Sequence, residues 1–132
     1  MKQAFEPIPA SVEDIARQIV DAAFKVHQTL GPGLLESVYK TCLCHELSKR
    51  GLACSRQLPV SIAYDDILIE AGLRIDILVA DSVILELKAV EEMNPLFEAQ
   101  LLTYLKLSNK RLGFLINFNS VLLKQGIKRM AL

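Results

Sequence analysis

The chain has 132 residues, 52% of them hydrophobic, and its 15 basic and 15 acidic side chains give a formal net charge of zero. This length and composition predict one compact domain over residues 1–132 and exclude an intrinsically disordered chain. Zero net charge also excludes overall basicity as an argument for nucleic-acid binding.

The charge is unevenly distributed. Between Asp65 and Glu98 there are nine acidic and two basic residues, whereas residues 99–132 carry six basic residues and no acidic one. This arrangement suits a cation site beside a polyanion, but surface charge that is uneven by chance is the simpler interpretation.

Residues 1–10 are predicted to form an N-terminal extension, and they lack the apolar segment of a signal peptide. No apolar run reaches the roughly 20 residues needed to span a membrane. The cysteines Cys42, Cys44 and Cys54 lack metal-ligand spacing, so we expect reduced, mostly buried thiols. These features favour a cytoplasmic protein with no membrane partner.

Two helices are predicted in the first third of the chain. Residues 11–30 have apolar side chains at helical spacing, and Ser11 with Asp14 resembles a capping box. After the sequence GPG, a second helix is expected over residues 34–50, with Gly51 as its C-terminal cap. Its expected core-facing residues are Leu35, Val38, Cys42 and Leu47.

Beyond Cys54 the apolar pattern changes to that of strands. Asp65 and Asp66 predict a turn, and Asn94 predicts the start of a helix that extends to Leu107. Strands are expected at 58–64, 67–80 (one, or two broken near Gly72), 83–89, 112–118 and, at a sheet edge, 127–132. The order ααβββαββ predicts an α/β fold with a mixed sheet.

The strand VILELKAV raises the question of why Glu86 and Lys88 interrupt an apolar run. Both point to one face because they are two residues apart. If the hairpin before this strand has a three-residue loop around Asp81, Asp76 lies opposite Glu86, and Arg74 lies opposite Lys88.

Two carboxylates held this close repel each other, and a divalent cation such as Mg²⁺ relieves the repulsion. A lysine beside them can activate a water molecule or stabilise negative charge, which fits metal-assisted phosphodiester hydrolysis. A cross-strand salt bridge on a solvated sheet face explains the same three residues, and for an isolated motif it is the better explanation.

Two helical pairs add to this pattern. Glu36 and Tyr39 share a helix face within GLLESVY, although an ordinary amphipathic helix start explains them as well. Gln100 and Tyr104 share a face of the helix that follows the strand, where a core tyrosine beside a surface glutamine is an equal alternative.

Together these segments resemble the GxxExxY protein family. GLLESVY matches its signature, and RID (74–76), ELK (86–88), QLLTY (100–104) and GFLINF (113–118) match later blocks in order. That family is placed in the PD-(D/E)XK nuclease-like superfamily, so the resemblance implies a restriction-endonuclease-like fold with a central mixed sheet flanked by helices.

The resemblance also implies a site that holds Mg²⁺ or Mn²⁺. Asp76, Glu86 and the Leu87 carbonyl would bind the metal, joined by Glu36, and Lys88 would act on the water or the phosphate. Gln100 and Tyr104 would accompany them as the QxxxY helix. Ile75 stands where the superfamily name has proline, and YDD (64–66) replaces a glycine-containing turn.

His27 is a further candidate ligand, although a histidine that interacts with the end of its own helix is the commoner case. We therefore expect a metal-dependent nuclease acting on nucleic acid, with DNA the first expectation and RNA open. The alternative is a nuclease fold that serves as a binding or structural module with little catalysis. A homodimer is expected because GFLINFNSVLL offers more apolar surface than one core needs.

Overall fold

The computed structural model describes residues 6–132, apart from the side chain of Ala71, so half of the predicted N-terminal extension lies outside the described residues. The helices are α1 (Ala10–Leu30), α2 (Glu36–Lys49), α3 (Pro95–Ser108) and α4 (Leu123–Gly126). The strands are β1 (Cys54–Tyr64), β2 (Ile67–Val79), β3 (Val83–Lys88), β4 (Leu112–Asn117) and β5 (Ile127–Ala131).

The strands form one sheet in the order β1-β2-β3-β4-β5. β3 and β4 are parallel and α3 connects them, while the other neighbours are antiparallel. The predicted α/β fold with a mixed sheet is therefore confirmed, and β5 lies at the predicted edge.

Helices cover both faces of the sheet. On one face, α1 and α2 pack against the odd-numbered residues of β3, including Leu85 and Leu87. On the other face, α3 packs through Leu101, Tyr104 and Leu105. Because strand side chains alternate between faces, Glu86 and Lys88 belong to the face that α3 covers.

The predicted core face of α2 is correct at Leu47 and in part at Cys42, which packs against the core, and it is wrong at Leu35 and Val38. Leu35 precedes the helix and is 74% exposed, Val38 is 37% exposed, and Cys42 is half-buried. The buried residues are Tyr39, Lys40, Leu43 and Leu47. Apolar side chains lie on several sides of this helix, so their spacing did not define its buried face.

The helix ends show which capping signals were reliable. Asn94 caps α3 as predicted, since its Oδ1 accepts a hydrogen bond from the Leu96 N–H at 2.9 Å. Gly51, at φ +78°, follows α2, and its N–H donates to Ser48 as expected of a C-terminal glycine. The capping box at Ser11 is wrong, because α1 begins at Ala10 and has no side-chain cap.

Three other predictions concern apolar surface. The segment GFLINF is buried, so the excess apolar surface expected there is limited to Val121 and Leu122, which are exposed. The three cysteines are free and half-buried rather than mostly buried. Among residues 6–132, no helix is long and apolar enough to cross a membrane.

Tyr39 connects the loop before α2 to the core. Its ring stacks on Phe118 with centroids 4.7 Å apart. Its hydroxyl donates to the Gly31 carbonyl at 2.6 Å and accepts from the Leu34 N–H at 3.0 Å. The tyrosine of the GxxExxY sequence therefore positions the chain where α2 begins.

We expect Tyr39→Phe to lower the free energy of unfolding by about 1–2 kcal/mol, because it leaves two backbone groups without their partner while keeping the ring stack. Urea denaturation measures the change. Tyr64→Phe is the control, since that residue is 66% exposed and its change should be near zero. Equal stability of the two variants would contradict the assigned role of the hydroxyl.

Candidate active site

The site lies where β2 and β3 separate. Beyond the three-residue loop 80–82, the two strands pair at Val79–Val83, Leu78–Ile84 and Ile77–Leu85. The same register places Asp76 opposite Glu86, as predicted, but the backbone pairing stops one residue earlier.

Side chains replace the missing backbone bonds at this opening. The Asp76 carboxylate accepts from the Leu87 N–H at 3.0 Å, and Glu86 accepts from the Asp76 N–H at 3.3 Å. The Leu87 carbonyl points to the same side as its N–H, because both groups of a strand residue face one neighbour. Two carboxylates and one carbonyl therefore meet at the opening.

Arg74 does not pair with Lys88, contrary to prediction. The β2–β3 pairing has ended before these residues, and Arg74 is exposed, with its guanidinium 3.4 Å from the Gln57 carbonyl. The expected arrangement, with Arg74 opposite Lys88 beside the two carboxylates, is therefore not formed.

The two carboxylates are buried, with Asp76 6% and Glu86 8% exposed. Burial raises the pKa of Glu86 to about 7, and the charge of Asp76 adds to this effect. The hydrogen bond from Asp76 and the charges of Lys88 and Lys40 act in the opposite direction but are outweighed. Glu86 is therefore only partly ionised near neutral pH.

Lys40 is the site residue that the sequence prediction missed. Its ammonium forms an ion pair with Asp76 Oδ1 and lies 3.6 Å from Glu36 Oε2, and the residue is only 8% exposed. Burial opposes its charge, but the hydrogen bond with Asp76 and the charges of Asp76 and Glu36 raise its pKa. The four-residue spacing of Glu36 and Lys40 would have predicted their contact from the sequence, because such residues are neighbours on a helix.

Glu36 reaches the two carboxylates only through Lys40. Its side chain is 43% exposed and pairs with Lys40 along α2. Within residues 6–132, no three His, Cys, Asp or Glu side chains lie close enough to form a metal cluster. Glu36 contacts Lys40 in this arrangement, and its expected role as a metal ligand stays a prediction.

Gln57, another residue without a sequence signal, completes the surroundings of Asp76. It lies in β1 with a φ of +53°, and its Nε2 donates to Asp76 Oδ1 at 3.1 Å. Both oxygens of Asp76 therefore have donors within the described chain.

The α3 side carries the other predicted residues. Tyr104 is 7% exposed, and burial together with the charge of Glu86 raises its pKa. The exposed Gln100 donates to the Tyr104 hydroxyl at 3.3 Å. Lys88 Nζ lies 4.3 Å from the centre of the Phe97 ring, a cation–π contact at the start of α3. Gln100 is thus linked to the site through Tyr104.

His27 and Asn117 have structural partners. His27 Nε2 lies 2.7 Å from the Ser120 carbonyl oxygen, so this nitrogen is committed to the loop after β4 and not to either carboxylate. Asn117, buried and not predicted, donates to the Val90 carbonyl and accepts from the Val90 N–H. It therefore fixes the chain just after Lys88.

A comparison with protein-family models decides the family. The model described as the PD-(D/E)XK nuclease superfamily matches residues 13–130. The chain belongs to this superfamily. The match does not distinguish the GxxExxY family within it. No match was found among curated proteins or among solved structures.

The site residues fit the divalent cation that the PD-(D/E)XK nuclease superfamily implies. Asp76, Glu86 and the Leu87 carbonyl offer hard oxygen donors, and Mg²⁺ commonly uses one or two carboxylates with several waters. The ammonium of Lys40 already occupies a cationic position beside Asp76. The opening between β2 and β3 thus accommodates positive charge.

In the cation-free protein, we expect the ionisation of Glu86 to lower the free energy of unfolding as the pH rises from about 4.5 to about 7. The pKa of Glu86 is raised to about 7 on folding, so the folded state binds the proton more tightly. The contribution of Glu86 to stability is greatest while the carboxyl is protonated and falls as it ionises, by up to roughly 3 kcal/mol.

Thermal or urea unfolding in EDTA at several pH values measures this dependence. Glu86→Gln should remove this part of the pH dependence, because the amide stays neutral. Glu91→Gln, which changes an exposed side chain in the loop after β3, is the matched control. A Glu86→Gln protein with the parent's pH dependence would contradict the burial argument.

Proposed function

We propose that the protein is a Mg²⁺- or Mn²⁺-dependent nuclease that hydrolyses phosphodiester bonds in nucleic acid. The main support is that Asp76 and Glu86 are buried against each other at the opening of β2 and β3 in a chain of the nuclease superfamily. Buried paired carboxylates are costly unless they serve a site that compensates them.

Asp76, Glu86 and the Leu87 carbonyl would hold the cation in this proposal. When bound, such an ion polarises the phosphate and lowers the pKa of a water molecule. Lys88 lies on the same sheet face as Glu86, where its ammonium would orient the attacking water or hold a phosphate oxygen. Phe97 restrains that ammonium on the α3 side.

Tyr104 and Gln100 would line the approach for the substrate. The buried Tyr104 hydroxyl is positioned by the Gln100 amide, and the exposed amide faces the solvent side of α3. We propose that these groups contact the sugar-phosphate backbone, which offers oxygen acceptors independently of base identity.

The basic C-terminal third of the chain supports substrate binding only weakly. Lys110, Lys128 and Arg129 pair with Asp81, Glu98 and Glu13. The uneven charge along the sequence is therefore partly neutralised across the fold. We propose DNA as the first substrate class to test, and assays must include RNA.

We expect the parent protein to cleave at least one of four substrates in Mn²⁺ or Mg²⁺ and none in EDTA. The substrates are single- and double-stranded DNA and RNA. Glu86→Ala should abolish cation binding, whereas Lys88→Ala should keep cation binding and lose cleavage. Gel assays measure cleavage, and calorimetric titration with Mn²⁺ measures binding.

Glu91→Ala serves as the control in this experiment, because Glu91 is exposed in the loop after β3. It should match the parent in both measurements. A parent that binds no cation at millimolar Mn²⁺, with Glu86 and Lys88 variants that merely unfold earlier, would leave these residues with a structural role. The protein would then fit the alternative of a binding or structural module.

We further propose that the protein associates as a homodimer. Leu34, Leu35 and Val38 form an exposed apolar group at the start of α2, beside Glu36. Light scattering during gel filtration at micromolar concentration should give twice the 14.7 kDa chain mass. Leu35→Lys should shift this mass toward the monomer, with Leu68→Lys as a control at an exposed apolar position in β2. A monomeric parent mass would reject the dimer.

A further inference from the structure

The ammonium of Lys40 lies beside the Asp76 carboxylate, at the opening between β2 and β3 where the cation is proposed to bind. We propose that Lys40 is a built-in counter-cation that competes with the divalent cation for Asp76, and that Glu36 is the partner to which Lys40 moves when the metal binds. This inference rests on the proposed metal site and concerns its regulation.

The first support is the occupancy of Asp76. Its Oδ1 contacts both Lys40 and Gln57, and its Oδ2 accepts from the Leu87 N–H. Oδ1 already has two donors, so a cation that binds Oδ1 must replace one of them. Of these donors, Lys40 is the one that repels the incoming cation. Two positive charges held against the same carboxylate repel each other strongly in a buried site.

The second support is the burial of Lys40. A lysine that is 8% exposed keeps its charge only when it is paired. Lys40 lies on the buried side of α2 with Tyr39 and Leu43, so withdrawal of its ammonium from Asp76 without a new partner would leave a largely buried charge unpaired. Removal from Asp76 therefore requires another acceptor within reach of the same side chain.

Glu36 is that acceptor. It lies one helical turn before Lys40, and its Oε2 is 3.6 Å from the ammonium, which is a long contact that can shorten. At 43% exposure, the Glu36 side chain has room to adjust. A short movement of the ammonium from Asp76 toward Glu36 would free Oδ1 for the metal without leaving Lys40 unpaired.

This arrangement gives Glu36 a role different from that of a metal ligand. As a ligand, Glu36 would bind the cation directly. As the partner of Lys40, it would help binding only by drawing the ammonium away from Asp76. The two roles differ in what happens when Lys40 is absent.

The test measures Mn²⁺ affinity by calorimetric titration of the full chain, without substrate. Lys40→Met keeps the unbranched shape and most of the length of the side chain but removes its charge, and we expect Mn²⁺ to bind at least about tenfold more tightly, equivalent to roughly 1.4 kcal/mol. Lys40→Arg keeps the charge and should bind no more tightly than the parent.

Lys49→Met is the matched control. It removes the same charge from the same helix, but Lys49 pairs with Glu46 and its side chain is 54% exposed. It lies nine residues from Lys40, about 13 Å along the helix. Its Mn²⁺ affinity should equal that of the parent. An equal gain in Lys49→Met and Lys40→Met would show a general charge effect and overturn the proposal.

A double-mutant comparison separates the two roles of Glu36. Glu36→Gln should weaken Mn²⁺ binding in the parent, because Lys40 then has only Asp76 as an ionic partner. In the Lys40→Met background, the same change should have no effect. Weaker binding in both backgrounds would identify Glu36 as a direct ligand and overturn its assignment as the partner of Lys40.

Melting temperatures provide a second readout of the same competition, obtained without calorimetry. In EDTA, Lys40→Met should melt earlier than the parent, because Asp76 and Glu86 lose their counter-charge. Saturating Mn²⁺ should raise its melting temperature more than it raises that of the parent. An Mn²⁺ increment no larger than the parent's would overturn the competition, whatever the stability of the metal-free variant.

Failure of this inference differs from failure of the proposed function. If the parent binds Mn²⁺ and Lys40→Met binds it equally or less tightly, the competition is wrong while the metal site stands. If neither the parent nor Lys40→Met binds Mn²⁺, both the metal site and the competition are wrong.

Discussion

The structure depends on how two buried carboxylates are compensated at the opening between β2 and β3. Asp76 and Glu86 lie where backbone pairing ends, and their oxygens accept the N–H groups that a continuing strand would have bonded. This exchange satisfies the backbone but leaves negative charge inside the fold. The burial of Glu86 and the charge of Asp76 favour protonation of one carboxylate, and Lys40 supplies the opposite charge to the other.

The surrounding elements make that compensation possible. Tyr39 positions the start of α2 through its hydroxyl and its stack on Phe118, and this brings Lys40, the next residue, to Asp76. On the other face, α3 brings Tyr104 near Glu86 and places Phe97 under Lys88. The two sides of the sheet thus supply different groups to one opening, although the residues are far apart in the chain.

The sequence predicted the mixed sheet, the hairpin register and the Asn94 cap, because these depend on local alternation and turn chemistry. It did not predict the buried face of α2, since apolar residues lie on several sides of that helix and tertiary contacts select among them. Lys40 was missed because a lysine in a helix is normally exposed. Only the orientation of α2 against the sheet brings its side chain to Asp76. Gln57 had no signal, because its role depends on an unusual backbone conformation in β1.

The position of Lys88 bears on why charged residues interrupt an apolar strand. A cross-strand salt bridge on a solvated face requires exposed partners, but both carboxylates are buried and Lys88 contacts an aromatic ring instead. The ion pair that does form, between Lys40 and Asp76, joins a helix to the sheet. Buried ion pairs of this kind contribute little net stability compared with apolar residues of the same size. Stability alone therefore gives little reason to keep Asp76, Glu86 and Lys40 together, whereas a site that must accept a divalent cation requires the carboxylates and tolerates an ammonium in its absence.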